Sequence, residues 1–370
     1  MKTFYGIFFI LALLSCNNKP TSAVKMDAPK KVDKRPPPAE KAIVKYTDKQ
    51  LEAFLDSVGH LQQQPLADRV AFGVDSTFNN FTKPMNRVVP AAEFDQLKKA
   101  IKARMIAPKL ARAIFGEFSG DSTCNANGLL DSVKKGYVHL SYFPFDKLRQ
   151  FAVRVSDAEH CNGSDLYFFR DNKIIAKQDG YNRYFDDDIK YYPAGDGNTI
   201  VYRMIEFNRG SGIWWNQYFF YKYDGDQLMP VLTIPENINL LQPSPWGLRE
   251  LWFETKIKRT TPLTIKMVYH QTLPDTHEPG DFDSVSNSHR PMIVNDSTIV
   301  KYSWNEQTKT LQPSFTGTKV NQAQILSYYL NDNELLTINA FYSKYQKMML
   351  NKKKRPYLLN YLNTVKNYSH

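Results

Sequence analysis

The sequence predicts an α+β fold with a mainly antiparallel β body, as a sandwich or barrel-like sheet, flanked by N- and C-terminal helices. Between about residues 137 and 315 the apolar residues recur with a period of two, and outside this region they recur at helical spacing. Aromatic residues make up 14% of the 370 residues, which is typical of a β-rich body. Three aromatic strand–turn–strand units recur at uneven spacing, so a β-propeller is only a minor alternative.

The first 20 residues have the pattern of a cleaved export signal. The apolar stretch Phe4–Leu14 is too short to span a membrane, and the small residue Ser15 stands directly before Cys16. The run Leu13-Leu14-Ser15-Cys16 resembles the lipobox of bacterial lipoproteins. This resemblance implies removal of a signal peptide, residues 1–15, and attachment of diacylglycerol to Cys16, with fatty acids such as palmitate in the membrane. An ordinary secretory signal that contains a cysteine is the alternative.

The residues that follow Cys16 favour the outer membrane. In the lipoprotein class, an Asp directly after the lipidated cysteine can retain the protein at the inner membrane, and this chain has Asn17 there. Residues 17–25 also lack the acidic cluster that sends some lipoproteins to the cell surface. The resemblance therefore implies a lipid-anchored protein of the cell outer membrane that faces the periplasm, with surface exposure left open.

Residues 16–45 have the composition of a Pro/Lys-rich tether. Pro20, Pro29 and the triplet Pro36–Pro38 lie among Lys, Asp, Ser and Thr, with too few large apolar residues to form a core. The Pro triplet favours extended polyproline II, which makes the segment a semi-stiff spacer. We therefore expect a folded body that works some tens of ångströms away from the membrane.

The net charge of +11 is concentrated at the two ends of the chain. Residues 16–45 carry +5, residues 341–370 carry +7 and Lys2 adds one, which leaves −2 for residues 46–340. A nucleic-acid-binding protein normally carries its basic surface on the domain that binds the nucleic acid. The sequence thus argues against a nucleic-acid partner. The basic ends could instead lie against anionic lipid or remain solvated.

Residues 46–118 are predicted to form a helical segment. Thr47 and Gln50 match a capping box, and the first helix ends near Gly59. A second helix begins near Pro90, with its apolar face running as far as Met105. A third, short helix follows Pro108 and is closed by Gly116.

Residues 119–318 are predicted to form the antiparallel β-rich body. Asp224-Gly225 predicts a two-residue hairpin turn. Residues 319–370 return to helical spacing and form a C-terminal helical segment with a basic tail that includes Lys352–Arg355. The clearest strand patterns lie at 137–143, 151–155, 199–205, 213–223, 251–257, 263–269 and 298–304.

Two cysteines remain if Cys16 is lipidated. Cys124 and Cys161 both lie in polar turn sequences, and the envelope is an oxidising compartment, so a disulfide between them is the main prediction. A metal site that combines Cys124, Cys161 and His160 is the alternative, although the spacing matches no four-ligand motif.

The common catalytic motifs are absent. The chain contains no nucleophile elbow, no His-Glu-x-x-His and no phosphate-binding glycine loop. The cluster Asp186–Asp188 could supply paired carboxylates or bind a hard cation. The segment from His270 to His289 contains histidines and carboxylates that could hold a transition metal, and its candidate ligands are His270, His277, Asp281 and Asp283.

Four tryptophans form a candidate ligand-binding set. Trp214 and Trp215 follow a glycine-containing stretch, and Trp246 and Trp252 lie about 30 to 40 residues later. Because adjacent strand residues face opposite sides, one of Trp214 and Trp215 is expected to be in the core and the other to face outward. An exposed indole could stack on a sugar ring or anchor a protein partner. Two buried sheet faces are the alternative explanation.

These observations favour a non-enzymatic, membrane-anchored envelope lipoprotein that binds a protein or glycan partner and needs no cofactor. The first alternative is an envelope hydrolase or metal-dependent enzyme that uses Asp186–Asp188 or the 270–289 loop. The second is a periplasmic immunity-type protein that neutralises an incoming toxin. The sequence does not discriminate between this second alternative and the first hypothesis.

Overall fold

The computed structural model describes residues 43–62, 65, 82–118, 137–146, 149–156, 163–181, 189–194, 196–208, 213–240, 250–258, 262–273, 291–329 and 334–368. Residues Val44–His370 belong to one compact unit. The helices are α1 Asp48–Gly59, α2 Ala91–Ala103, α3 Pro108–Phe115, α4 Gln322–Tyr329, α5 Glu334–Ala340, α6 Tyr342–Leu350 and α7 Arg355–Tyr368.

The strands form two antiparallel sheets. One sheet has six strands in the order β1-β6-β5-β4-β3-β2, and the other has eight in the order β14-β13-β12-β11-β10-β9-β8-β7. The predicted α+β fold with a mainly antiparallel β body is therefore confirmed. The strands are β1 Thr82–Val88, β2 Met105–Ile106, β3 Val138–Asp146, β4 Gln150–Ser156, β5 Gly163–Arg170, β6 Lys173–Tyr181, β7 Lys190–Pro193, β8 Thr199–Asn208, β9 Ile213–Asp224, β10 Gln227–Leu240, β11 Glu250–Lys258, β12 Leu263–Thr272, β13 Met292–Asn305 and β14 Thr310–Ser314.

The two sheets pack face to face, and helices cover their outer faces. On β5, Phe168 faces the eight-stranded sheet while Phe169 faces α2 and α3. On β9, Tyr221 faces the six-stranded sheet while Phe220 faces the cluster built from α1 and the C-terminal helices. Since strand residues alternate between faces, β5 and β9 bury both sides with apolar runs, whereas β12 alternates between buried and more exposed residues. The described chain thus forms four layers with three apolar interiors.

The predicted start of α1 is confirmed in detail. The Thr47 hydroxyl accepts a hydrogen bond from the Gln50 backbone N–H, and the Gln50 side chain accepts one from the Thr47 backbone N–H. This capping box satisfies two N–H groups that have no partner inside the helix. The helix then buries Leu51, Leu55 and Val58 against the C-terminal helices.

The segment at 46–118, predicted to be helical, also contains two strands. β1 pairs with β6 at the edge of the six-stranded sheet, and β2 pairs with β3 at the opposite edge. Met105 lies in β2 rather than at the end of a helix, because Arg104 adopts a left-handed conformation with φ of 56° and ends α2. The β9–β10 turn is also shifted by one residue, to Gly225 and Asp226.

Among the described residues, no helix has the length and apolar character needed to cross a membrane.

Candidate functional site

Aromatic and polar residues form one row across five strands of the eight-stranded sheet. Trp214 on β9 pairs in register with Asn239 on β10, which pairs with Trp252 on β11. Trp252 pairs with His270 on β12, which pairs with Asn295 on β13. Adjacent strands lie about 4.8 Å apart, so this transverse row extends over roughly 20 Å. The register therefore brings together residues that are up to 81 positions apart in the chain.

A second row runs parallel to the first, two residues further along each strand. Asn216 pairs with Asn237, which pairs with Glu254, and Glu254 pairs with Val268. A register shift in β10 between Pro235 and Asn237 inserts Glu236 next to this row. Bulges of this kind often lie beside functional sites, because they redirect a side chain away from the regular pleat.

On β12, the transverse row lies on the face that points away from the helices. Tyr269 and Gln271 are buried, and Gln271 Nε2 donates a hydrogen bond to the hydroxyl of Tyr345 on α6 at 2.8 Å. His270, between them, is half-buried, and its register partner Asn295 is exposed. Because neighbours in a strand face opposite sides, this part of the row is accessible from outside the helical layer.

Glu236 is the perturbed acid of this region. Burial raises its pKa, the charge of Glu254 raises it further, and a hydrogen bond from Asn216 partly opposes the shift. Asn216 Nδ2 lies 3.5 Å from Glu236 Oε2. Burial removes water from a half-buried carboxylate and so favours its neutral form, which can donate a hydrogen bond.

Several buried polar atoms beside Glu236 lack hydrogen-bond partners. Within the part of the chain that the structure describes, these atoms are Asn216 Oδ1, both side-chain polar atoms of Gln217, and Thr255 Oγ1. Such groups normally find a partner in the protein or in ordered water. Of these atoms, Asn216 Oδ1 belongs to the second row, whereas Gln217 and Thr255 follow row residues in their strands and face the opposite side of the sheet.

The arrangement suits hydrogen bonding to a polyhydroxylated ligand. Amides, carboxylates and an imidazole supply both donors and acceptors. Among the described residues, no group of three or more His, Cys, Asp or Glu could hold a metal ion.

A separate cleft of about 720 Å³ lies between the two sheets. An ion pair between Lys173 Nζ and Asp226 Oδ2, 2.7 Å apart, lies in its wall and links β6 to the β9–β10 turn. Another inter-strand hydrogen bond runs from Gln178 Nε2 to Thr82 Oγ1, at 2.9 Å. This inter-sheet cleft has no residue in common with the transverse row. Its other lining residues are largely apolar and include Pro84, Met85, Ile175, Leu228 and Met229.

The structure brings three of the sequence-predicted site residues together and separates others from them. The backbone positions of Trp214, Trp252 and His270 align in the transverse row, whereas the backbone of Trp215 is in register with Phe207 and Ile238. The remaining predicted site residues lie outside the described residues. They are Cys16, Cys124, Cys161, Asp186–Asp188, Trp246, His277, Asp281 and Asp283.

The sequence prediction missed the polar members of the site, namely Asn216, Glu236, Glu254, Asn239 and Asn295. A signal for the first existed, because Asn216-Gln217 interrupts a strand that is otherwise rich in aromatic residues. For Glu236 the sequence holds no comparable signal, since its position depends on a register shift in β10.

The function has to be inferred from the residues of the transverse row and of the inter-sheet cleft. Comparison of the chain with models of known protein families, with curated proteins and with solved structures gave no match.

Proposed function

We propose that the protein is a lipid-anchored envelope lipoprotein whose β body binds a cell-wall glycan along the transverse row, without chemical conversion. The observation that carries this proposal is the register of β9–β13. Through it, the backbone positions of Trp214, Trp252 and His270 align across the sheet, next to strand segments that carry the half-buried pair Asn216–Glu236.

The chemistry of a glycan matches this row. The apolar face of a sugar ring packs on an indole ring, while its hydroxyl groups form hydrogen bonds with amides, carboxylates and imidazole. Asn216 Oδ1 is a buried acceptor that needs a donor, and a sugar hydroxyl can supply one. A row of roughly 20 Å is long enough to contact several consecutive rings of a polymer.

The proposed anchor gives the body access to such a polymer. If Cys16 carries the lipid, 27 residues lie between it and Val44, where the compact unit begins. An extended chain of that length reaches at most about 90 Å. In an outer-membrane protein that faces the periplasm, this reach includes the space where cell-wall glycan lies.

Isothermal titration with soluble glycan strands from digested cell wall tests the binding. The protein used is the chain from Asn17 onward, which contains the whole compact unit. We expect Trp214→Ala, Trp252→Ala and His270→Ala each to weaken binding about tenfold or more, because each removes a stacking or hydrogen-bonding group. The matched control is Tyr191→Ala, an exposed aromatic residue on the edge strand β7.

Thermal unfolding of each variant identifies loss of structure. Weaker binding at an unchanged melting temperature supports the proposal. If the variants bind glycan as tightly as the unmodified chain, or if Tyr191→Ala weakens binding equally, the transverse row is not the site. A large fall in melting temperature would identify Trp214 or Trp252 as a core residue and contradict its role here.

A glycan hydrolase is the second candidate, favoured by the raised pKa of Glu236 beside Glu254. A protonated carboxylic acid next to a second carboxylate is the pair that glycoside hydrolysis uses. Chromatography of the glycan after prolonged incubation tests this candidate. New reducing ends that disappear with Glu236→Gln would establish hydrolysis and replace the non-enzymatic proposal.

Mass spectrometry of the protein purified from its own membranes tests the anchor. The expected N-terminal peptide begins at Cys16 and carries added fatty acyl mass. An unmodified thiol, or residues 1–15 still attached, would rule the anchor out. In the same sample, a disulfide between Cys124 and Cys161 predicts no free thiol until a reductant is added.

A further inference from the structure

The turn between α6 and α7 exposes a large apolar side chain. Leu350 is the last residue of α6 and is 85% exposed, more than any other large apolar residue among those described. Met292, at the start of β13, is also exposed. The backbone carbonyl of Met292 accepts a hydrogen bond from Lys354 Nζ at 3.2 Å, which fixes the strand beside the turn.

Three lysines border Leu350 without acidic partners. Lys347, Lys352 and Lys353 are exposed, and none forms an ion pair with a residue that the structure describes. By contrast, the adjacent Arg355 pairs with Asp48 at 3.2 Å and with Glu52 at 2.7 Å. The positive charge of the three lysines is therefore not neutralised within the protein. We call the surface formed by Lys347, Leu350, Lys352, Lys353 and Met292 the basic turn.

Residues 44–46 are held on α7, the helix that follows the basic turn. Asn367 Nδ2 on α7 donates a hydrogen bond to the Val44 carbonyl, and Asn367 Oδ1 accepts one from the Val44 N–H, both at 2.8 Å. Asn363 Oδ1 accepts the Tyr46 N–H at 3.0 Å. These contacts fix residues 44–46 against α7.

We propose that the basic turn is a membrane-contacting surface that binds anionic phospholipid. Lysines near an anionic bilayer are attracted by its negative surface potential, and an apolar side chain among lysines can insert into the interface. The membrane is the occupant that fits both features, because free phosphate would use the lysines but not Leu350. This proposal does not depend on the lipid anchor.

Sedimentation with lipid vesicles tests this surface independently of the anchor. The chain from Asn17 onward is mixed with vesicles of phosphatidylglycerol and phosphatidylcholine in equal parts, and with phosphatidylcholine alone. We expect binding to the anionic vesicles that weakens as salt is raised. Lys352→Glu with Lys353→Glu should lower the partition coefficient about tenfold or more. Leu350→Ser should lower it several-fold at constant charge, because the inserting apolar group is lost.

The matched control reverses two exposed lysines on the sheet, Lys266→Glu with Lys301→Glu, and so has the same net charge. Equal loss of binding in the control would show that only total charge matters and would overturn the proposal. Absence of binding to anionic vesicles would also overturn it. So would release of the protein from the vesicles by millimolar inorganic phosphate. If Cys16 is unmodified but the Lys352 and Lys353 variant selectively loses vesicle binding, the anchor proposal is rejected and the membrane-surface proposal stands.

Discussion

The ammonium group of Lys222 on β9 lies 3.6 Å from the centre of the Trp304 ring on β13. Three strands, β10 to β12, separate these two in the sheet, so the contact shows that the eight-stranded sheet curls strongly. Lys222 also pairs with Asp196, in the turn between β7 and β8. One buried side chain thus links two distant hairpins across the inside of the curl.

Replacement of Lys222 should therefore destabilise the fold. Its side chain is only 2% exposed, and Lys222→Ala removes both a desolvated cation–π contact and an ion pair. We expect the free energy of unfolding to fall by about 2–3 kcal/mol, because Asp196 is partly exposed and keeps some hydration. Urea denaturation measures this change. Lys309→Ala, which removes an exposed ion pair with Glu306, should leave it nearly unchanged because solvent screens that pair. Equal urea midpoints for Lys222→Ala and Lys309→Ala would contradict the interpretation that buried Lys222 stabilises the fold.

Alkaline pH should unfold the protein through its buried tyrosines. Burial raises the pKa of Tyr269 to about 12, with a further contribution from the charge of Asp296, and burial also raises the pKa values of Tyr192 and Tyr302. A folded-state pKa above the unfolded value contributes stability that is complete below about pH 10 and is lost as pH rises toward 12. Circular dichroism and tyrosinate absorbance, recorded together, should show one coincident transition in this range.

A conservative variant tests the role of the phenol groups. Tyr302→Phe removes one ionisable group from the core and should move the alkaline transition to higher pH. Tyr191→Phe, at an exposed position, should leave the transition where it is. Ionisation of the buried tyrosines at pH 10 without unfolding would refute this explanation.

The individual elements could largely be predicted from the sequence, because each is encoded by local periodicity. The capping box of Thr47 and the apolar runs of β4 and β9 are examples. β1 could not be predicted in this way, since an edge strand tolerates Pro84, Lys83 and Arg87, residues that disfavour a central strand. Its assignment depends on pairing with β6, which is about 90 residues later in the chain.

The candidate site could be predicted in composition but not in geometry. Trp214, Trp252 and His270 were identifiable as residues of unusual type in strand-like segments. The alignment of their backbone positions depends on the register of β9 to β12. Two register shifts in β10 help to set that register. A slip of one residue would move every side chain to the other face, so a local pattern cannot specify which residues meet.

Asn339 on α5 should be essential for the junction between α1 and the C-terminal helices. Its Nδ2 donates to the carbonyls of Val58, Gly59 and Leu61 at 2.8, 3.3 and 3.1 Å, where α1 ends. Carbonyls at a helix end have no partner four residues on within the helix, and the Val58 carbonyl also accepts the Leu61 N–H at 3.2 Å. Asn339→Ala should lower the free energy of unfolding by about 1–3 kcal/mol, as measured in urea.

The isosteric variant Asn339→Asp provides a sharper test of the same contact. At neutral pH it places a carboxylate against three carbonyl oxygens, so it should be more destabilising than Asn339→Ala. Protonation restores a donor, so the deficit relative to the unmodified chain should shrink at lower pH. Asn360→Asp, on the exposed face of α7, is the control. A deficit that does not depend on pH would argue against the hydrogen bonds.

Loss of the Asn367 and Asn363 side chains should release residues 44–46 while the body remains folded. Together these amides form three hydrogen bonds with the backbone of Val44 and Tyr46, and Lys45 between them is exposed. Trypsin cleaves after lysine only when the backbone can leave its contacts, so Asn363→Ala with Asn367→Ala should raise cleavage after Lys45 about tenfold or more. Mass spectrometry of timed digests measures this rate, and Asn360→Ala should leave it unchanged. Because the interactions are local, the urea midpoint of the double variant should shift little. A cleavage rate equal to that of the unmodified chain would mean that other contacts, such as Lys366 over the Tyr46 ring at 4.5 Å, are sufficient to hold the segment on α7.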